Sequence, residues 1–288
     1  EYLNTSILNF VWFQDPMPCL EDNSILDTRK NDFVFHLVPD FKRLLEKKNI
    51  HSQYQPFCID TSIHKIRKKI NREDKIVFIG SSYKERISKI NEQEMHSLKK
   101  LISIFEIKGI ITDEEIDFIS THHKIPVTKI NFFIGYIIRD ILILQLCQLN
   151  IPYKIEIYGY GWEEYDELEP YYNGPVTPGK DISKIYNSAR YVFVPAQNVL
   201  QQRTLEGAAN GAIPIAYDNR SSIEEANKID YTESVIYFHK TDELENVLHK
   251  DVVVEKDLKH LLKKNKYKSF IKKMHKIIKS HTLKDQRN

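Results

Sequence analysis

The chain has 288 residues, with 42 lysines and arginines against 40 aspartates and glutamates, so its formal net charge is +2. With 41% hydrophobic and 28% charged residues, the composition is that of an ordinary globular protein and excludes disordered, collagen-like and repeat-solenoid chains. The charge balance gives no indication of nucleic-acid binding, because phosphate backbones require a basic excess. The length predicts one large domain or two modest ones.

The three cysteines, Cys19, Cys58 and Cys147, have neither paired nor metal-like spacing. This pattern predicts no disulfide framework and no zinc site, and it favours a reducing, cytoplasmic setting. The sequence begins at Glu1 without a signal-like segment. We therefore expect an internal fragment of a longer protein.

Residues 1–70 contain short runs rich in β-branched and aromatic residues at 7–13, 32–38 and 53–59, with a helical segment at 41–48. These runs predict the last β-α units of a parallel sheet. This segment is too short to form a stable domain of this kind. We therefore expect that the first domain is truncated in this chain. The basic polar stretch 64–74 marks the expected domain boundary.

Residues 71–252 alternate strands with helices, which predicts an α/β fold with a doubly wound, Rossmann-like parallel sheet and helices on both faces. The predicted strands are 75–80, 153–158, 191–195, 213–216 and 234–238. The predicted helices are 92–105, 113–121, 131–149, 181–188, 203–210, 222–228 and 242–249.

Two segments raise the question of a membrane. The run 131–149 is apolar enough to span a bilayer, but Arg139 and Asp140 at its centre favour a buried helix of a globular domain. The tail, residues 253–288, has helical apolar spacing over 256–281 and many lysines on the other face. We expect a helix docked on the domain, and peripheral contact with an anionic membrane stays open as the alternative.

Loops that follow strands are the places to look for a site, because open parallel sheets bind ligands at the carboxyl ends of their strands. Six of the nine glycines lie between positions 159 and 211. Glycine permits positive φ and a close approach of backbone to ligand, although Gly211 is expected simply to cap a helix.

Two of these loops offer different chemistry. Loop 80–86 presents backbone amides, hydroxyls, Lys84 and Arg86 where a phosphate could bind, although both cations suit a solvated surface equally well. Loop 158–162 combines two glycines with three aromatic residues, which suits stacking on a flat ring or sugar. Aromatic residues nevertheless pack more often in a core.

The third loop, 201–215, leads into a helix with Arg203 near its start and Glu206 three residues later on the same face. Unpaired N–H groups, the helix dipole and a guanidinium together favour an anionic diphosphate. A glutamate there can accept hydrogen bonds from a ribose diol. The alternative is that Glu206 caps its helix or pairs with Arg203, and the sequence leaves the two interpretations even.

Four runs in order resemble the C-terminal nucleotide-sugar domain of GT-B glycosyltransferases: YGYGW at 158–162, YNGPV at 172–176, IYNSA at 185–189 and RTLEGAANGAIP at 203–214. Within that group they are most similar to the group-1-like, CgeB-like family. The resemblance extends from about 75 to 249, and the segment 12–16 with the strand at 32–38 more loosely resembles the end of the family's N-terminal domain. The resemblance implies two Rossmann-like domains that face each other across a cleft, with the first domain incomplete in this chain. It also implies an enzyme that needs no metal.

The resemblance also implies roles for individual residues. Glu206 would hold the donor ribose, the backbone at 174–176 would meet the base, and loop 80–84 with the helix start at 202–204 would meet the diphosphate. Many relatives carry a second glutamate eight positions before Glu206, where this chain has Asn198, so the group that recognises the sugar stays open. The expected nucleotide-sugar residues are Gly80, Ser81, Ser82, Tyr158, Gly159, Gly161, Trp162, Gly174, Pro175, Val176, Tyr186, Asn198, Gln202, Thr204 and Glu206.

Breaking the sugar–phosphate bond puts additional negative charge on the diphosphate, and we expect Arg203, Lys84 and the helix amides to oppose it. Asp15 is a candidate acceptor-side base, with a turn carboxylate before Pro16 as the favoured alternative. The expected function is therefore metal-independent transfer of a sugar, from a UDP-sugar donor and without a cofactor, to a protein, glycan or other surface-destined acceptor.

Two other functions remain possible from the sequence. Asn198 and the short first half are compatible with a non-catalytic protein of this fold that binds a nucleotide sugar or a partner protein. A dehydrogenase is disfavoured, because no Gly-x-Gly-x-x-Gly follows an early strand.

Overall fold

The computed structural model describes residues 7–14, 26, 28–68, 70–195, 200–218, 231–249 and 257–285. The predicted helix at 222–228 lies outside these ranges. Within them, eight strands form two separate parallel sheets, of three and five strands.

The first sheet has the strand order β1-β2-β3, with all neighbours parallel. Its strands are Asn9–Phe13, Asp32–His36 and Ser52–Tyr54, and helix α1, Pro39–Lys47, connects the second to the third. Strand β3 is much shorter than the predicted 53–59. Pro56 has no N–H to continue the ladder, and Ile59 pairs instead with the segment at Asn265 and Lys266.

The second sheet has five parallel strands in the order β5-β4-β6-β7-β8. Its strands in chain order are β4 Glu73–Ile79, β5 Lys154–Tyr158, β6 Ala189–Val194, β7 Ile213–Tyr217 and β8 Ile236–Phe238. This is the 2-1-3-4-5 order of doubly wound folds. The order reverses between β4 and β6, so the loops that follow these two strands flank the crevice where such sheets bind ligands.

Helices cover both faces of the second sheet, because side chains of a strand alternate between its two faces. Phe78 and Phe193 point into the core beneath α3, α4, α5 and α8, whereas Val77 and Val192 point into the core beneath α6 and α7. The helices in chain order are α2 Lys84–Ile87, α3 Glu92–Lys108, α4 Asp113–His123, α5 Val127–Gln148, α6 Lys180–Ser188, α7 Gln202–Ala209 and α8 Thr241–His249. Gly211 follows α7 with φ +85°, as its predicted capping role requires.

Helix α5 contains the apolar run that raised the membrane question. It is the one helix in the described part of the chain that is long and apolar enough to span a bilayer. Ile134, Ile138, Leu142 and Leu146 are fully buried in the core shared with the second sheet. This packing is that of a core helix of a globular domain.

The tail forms two helices, α9 Leu258–Lys264 and α10 Tyr267–Asp285, and the single helix predicted at 256–281 is wrong. The break lies at Asn265, whose carbonyl oxygen accepts a 2.8 Å hydrogen bond from the Ile59 amide. Leu261 of α9 packs into the core beneath α7, whereas Phe270 of α10 packs against the first sheet. The tail therefore docks on both sheets, and the division at 70/71 and 252/253 stays a prediction.

Candidate functional site

The loops that follow β4 and β5 are joined into one structure at the carboxyl edge of the second sheet. The Gly80 amide donates to the Tyr158 carbonyl at 2.9 Å, and the Ser82 amide donates to the Tyr160 carbonyl at 2.9 Å. The Trp162 indole N–H donates to the Gly80 carbonyl at 2.6 Å. Two loops that the sequence predicted separately are thus parts of a single site.

Gly159 allows this close approach. Its φ is +135°, and a Cβ placed on it would lie 2.2 Å from the carbonyl oxygen of Gly80. Its amide donates to the Gly174 carbonyl at 3.1 Å, which brings the run 174–176 to the same edge. Pro175 is exposed and Val176 is half-buried there.

The three aromatic residues of loop 158–162 have different surroundings. Trp162 is 0% exposed and packs edge-on against Phe78 at 5.6 Å between ring centroids. Of the two alternatives for this ring, packing in the core is the one observed, so Trp162 does not stack on a ligand. Tyr158 is half-buried, and its hydroxyl donates to Glu156 at 2.9 Å. Tyr160 is 67% exposed and is the aromatic ring of this loop that a ligand can reach.

Asp140 of α5 fastens the loop after β4. Its side chain accepts hydrogen bonds from the Ser82 hydroxyl at 2.7 Å, the Tyr165 hydroxyl at 2.9 Å and the Tyr83 amide at 3.3 Å. Burial raises the pKa of the Asp140 carboxyl, and the hydrogen bonds from Ser82 and Tyr165 oppose that shift. Sequence analysis used Asp140 and its neighbour Arg139 only against a membrane span. Two charged residues inside an apolar run were the available signal for a polar site.

The backbone amides of loop 80–84 are already used within the protein. Those of Gly80, Ser82, Tyr83 and Lys84 all donate to protein oxygens. Of the backbone amides of loop 80–84, only that of Ser81 has no acceptor in the part of the chain that the structure describes. The prediction that these amides cradle a phosphate is therefore wrong for most of the loop.

The Lys84 side chain contacts the loop that follows β5. Its ammonium lies 4.1 Å from the centroid of the Tyr165 ring and donates to the Glu164 carbonyl. Arg86, the other predicted cation, donates to the Tyr136 hydroxyl at 2.9 Å. In this structure, Lys84 therefore ties its own loop to the loop after β5, which corrects the expectation that it faces a diphosphate.

Helix α7 starts at the same edge, after β6. Arg203 Nη1 lies 2.5 Å from Glu206 Oε2, and Gln202 Nε2 donates to Glu206 Oε1 at 3.0 Å. The residue Glu206 is only 4% exposed, whereas the Arg203 side chain is 37% exposed. Of the two interpretations that the sequence left even, internal pairing of these two residues is the one observed.

A buried polar network lies behind Glu206. His64 Nε2 is 3.9 Å from Glu206 Oε1, and His64 Nδ1 lies 3.1 Å from the Asn210 side-chain nitrogen. The Asn210 side-chain oxygen accepts from Ser183 and Asn187, both at 2.7 Å. Burial lowers the pKa of His64, while the charge of Glu206 opposes that shift. Sequence analysis treated His64 only as part of a basic linker and missed this contact.

Two further predicted ligand residues are interior residues. The Tyr186 side chain is fully buried, with its ring in the core beneath α7, and burial raises the pKa of its hydroxyl. Thr204 is also buried. Neither side chain reaches the surface, so the prediction that Tyr186 and Thr204 contact a nucleotide sugar is wrong. Tyr186 packs in the core beneath α7, and Thr204 is a buried residue of α7.

Two predicted residues, Asp15 and Asn198, lie outside the described residues. Within the described ranges, no group of three or more histidine, cysteine, aspartate or glutamate side chains is placed to hold a metal ion.

Three solved structures are similar to this chain at low sequence identity. Sucrose-phosphate synthase from Thermosynechococcus elongatus has a TM-score of 0.52 and 11% identity, over 87% of this chain and 58% of that one. TarM has a TM-score of 0.48 and 13% identity over 85% and 43%. Anabaena Alr3699/HepE, solved with UDP-glucose, has a TM-score of 0.48 and 8% identity over 86% and 64%. The chain spans less than two thirds of the length of each.

The match to sucrose-phosphate synthase concerns the fold alone, and it confirms the predicted α/β, Rossmann-like architecture of the GT-B type. No curated protein matches the sequence. A comparison with protein families matches residues 139–284, just over half of the 288, to the family described as "Glycosyl transferase-like". That match includes the loop after β5 and all of α7, and the chain belongs to the glycosyl transferase-like family.

Proposed function

We propose that this protein is a metal-independent glycosyltransferase of the group-1-like, CgeB-like branch. It moves a sugar from a nucleotide-diphosphate donor, with UDP-sugar as the expected donor, to a protein, glycan or other surface-destined acceptor. The observation that carries the proposal is the start of α7. There a buried glutamate and a partly exposed arginine meet at the edge where the strand order of the sheet reverses.

The pairing of Arg203 with Glu206 is compatible with this function. A guanidinium has several N–H donors, and the Arg203–Glu206 contact is made through Nη1. The remaining donors of Arg203 can bind a diphosphate oxygen while Glu206 fixes the plane of the group. When the bond between sugar and phosphate breaks, this cation opposes the charge that develops on the leaving group.

Glu206 needs a second partner to act on the ribose. Its Oε1 accepts from the exposed residue Gln202. A ribose diol can replace that exposed amide as donor without uncovering the carboxylate, since Arg203 stays on Oε2. The uracil would then lie toward 174–176, beside Gly159 and the exposed ring of Tyr160.

Calorimetric titration of the full chain with UDP, GDP and TDP tests the binding step. We expect one of the three to bind and the other two to bind more weakly. Donor hydrolysis or transfer with the matching nucleotide sugar then distinguishes an enzyme from a non-catalytic binding protein, the alternative that Asn198 favours. If none of the three diphosphates bound, both the enzyme and the non-catalytic nucleotide-sugar-binding protein would be contradicted.

A further inference from the structure

Arg139 of α5 lies directly against the end of β4. A Cβ placed on Gly80 would be 2.8 Å from Arg139 Nη2, so the guanidinium lies close against the backbone of this glycine. The guanidinium carbon lies 5.0 Å from the Tyr83 ring centroid and 5.5 Å from that of Phe78. These two rings hold the side chain against the loop.

Within the described residues the guanidinium forms no ion pair within 4.0 Å and no hydrogen bond, although its charge opposes the rise that burial causes in the pKa of the neighbouring Asp140 carboxyl. The neighbouring Asp140 directs its carboxylate to Ser82, Tyr83 and Tyr165 instead. The Arg139 side chain is half-buried, and its nitrogens are not among the buried polar atoms that lack a partner in the described part of the chain, so they are open to solvent or a ligand.

Arg139 of α5 is a cation beside this loop that suits an anion. The amides of Gly80, Ser82, Tyr83 and Lys84 are occupied by protein oxygens, and the Lys84 ammonium is held by Glu164. Helix α5 covers one face of the sheet and α7 covers the other. Arg139 and Arg203 therefore approach the crevice from opposite faces.

We propose that Arg139 is a phosphate-binding residue, which binds an oxygen of the donor diphosphate opposite Arg203. The proposal rests on the proposed function, because it assigns a second cation to the same diphosphate. It differs from the sequence expectation, which gave that role to Lys84.

The test compares calorimetric titrations of the full chain and the Arg139→Gln variant with UDP and with uridine. Loss of a charge-assisted hydrogen bond weakens UDP binding by about 10- to 100-fold. Uridine carries no phosphate, so its affinity stays within about twofold. Arg190→Gln is the matched control, because Arg190 lies at the opposite end of the sheet and pairs with Asp74 at 2.6 Å.

The outcomes separate the two proposals. No binding of UDP, GDP or TDP by the unaltered chain overturns the proposed function and this inference with it. Normal UDP binding by Arg139→Gln overturns this inference and leaves the function standing. Equal loss of UDP and uridine binding also overturns it, since a phosphate contact affects only the former.

A second variant keeps the test decisive if Arg139→Gln unfolds. Arg139→Lys retains a cation over the Phe78 and Tyr83 rings but loses the planar fork that binds phosphate oxygens in pairs. We expect UDP affinity to fall by at least about threefold while uridine affinity is unchanged. Unchanged UDP affinity in a folded Arg139→Lys variant contradicts the proposal.

Discussion

Arg203 illustrates how one side chain can serve both structure and chemistry. Glu206 is buried, and a buried carboxylate needs compensation, which Arg203 and Gln202 supply. The same pairing orients a guanidinium that remains partly exposed. Pairing with Glu206 therefore leaves part of the Arg203 guanidinium open to solvent.

The first prediction concerns catalysis by Arg203. We expect Arg203→Ala to lower the turnover number for donor hydrolysis or transfer by 10²-fold or more, roughly the effect of losing one preorganised donor to a developing charge. The measurement is kcat at saturating nucleotide sugar. Arg190→Ala serves as the control, because it removes an arginine from the far end of β6. Near-normal turnover in Arg203→Ala would refute the role.

The second prediction concerns His64 and pH. Burial holds the pKa of His64 below its ordinary value, so the unfolded chain binds its proton more readily than the folded chain does. Stability from this residue is complete above about pH 6.5 and is lost as the pH falls toward the folded pKa. Glu206 and Asp60 oppose the downward shift, and Arg203 adds to it.

We therefore expect the free energy of unfolding, measured in urea from pH 8 to pH 5, to fall less steeply in His64→Gln than in the unaltered chain. His96→Gln is the control, because His96 is exposed on α3. Identical pH dependence in His64→Gln and the unaltered chain would mean that His64 does not resist protonation in the fold.

At the scale of elements, α7 lies unusually close to the central strands. A Cβ placed on Gly207 would be 2.2 Å from Val192 Cγ1 of β6, so this helix position accepts no larger residue without movement. Close packing brings the first turn of α7, with Arg203 and Glu206, down to the edge of the sheet. The position of the candidate site therefore depends on a glycine that does not touch it.

The third prediction follows from that contact. Gly207→Ala overpacks the interface and lowers the free energy of unfolding by about 1–3 kcal/mol. Val192→Ala removes the clashing methyl groups, so the double variant is more stable than the sum of the two single effects predicts. Urea unfolding of the four proteins measures the coupling. If the two effects were simply additive, the Val192 methyl groups would not be the atoms that oppose a Cβ at position 207.

Local pattern was enough to predict most elements of the second sheet. The continuous apolar run of β4 and the helical spacing in α5 and α7 are set by which side chains reach the core, and the sequence displays both directly. Long-range pairing was not predictable. The helix break at Asn265 depends on Ile59, which lies two hundred residues earlier in the chain.

The candidate site shows the same difference between features set by local pattern and features set by long-range contacts. The three loops and the start of α7 were found from glycine positions and strand ends. The occupied amides of loop 80–84, the burial of Trp162 and the contact of Arg139 with Gly80 result from tertiary packing, which no local pattern encodes. For this reason several contacts predicted from the loops differ from those observed.

At the scale of the whole molecule, the tail links the two sheets. Helix α9 contributes Leu261 to the core beneath α7, and α10 lies against the first sheet. Lys273 of α10 donates to the Tyr54 carbonyl at 3.0 Å and lies over the Phe35 ring. Lys273 therefore takes part in docking α10 on the first sheet.

The first sheet has only three described strands, so it depends on the helices that cover it. Phe270 of α10 is buried and meets Phe35 edge-on at 5.1 Å and Trp12 at 5.3 Å between ring centroids. Removing that ring takes away both aromatic contacts at once. The resulting cavity would lie between the first sheet and α10, far from the core of the second sheet.

The fourth prediction uses the two tryptophans as reporters. Trp12 lies in β1 of the first sheet, and Trp162 lies in the loop that follows β5 of the second sheet. In a Trp162→Phe background, Phe270→Ala lowers the stability reported by Trp12 fluorescence in urea by about 3–5 kcal/mol. In a Trp12→Phe background, the same substitution shifts the Trp162 transition much less. Ile271→Ala is the control, since Ile271 is exposed on the same helix. Equal shifts of both transitions would instead show that the two sheets unfold as one unit and that α10 stabilises the whole molecule.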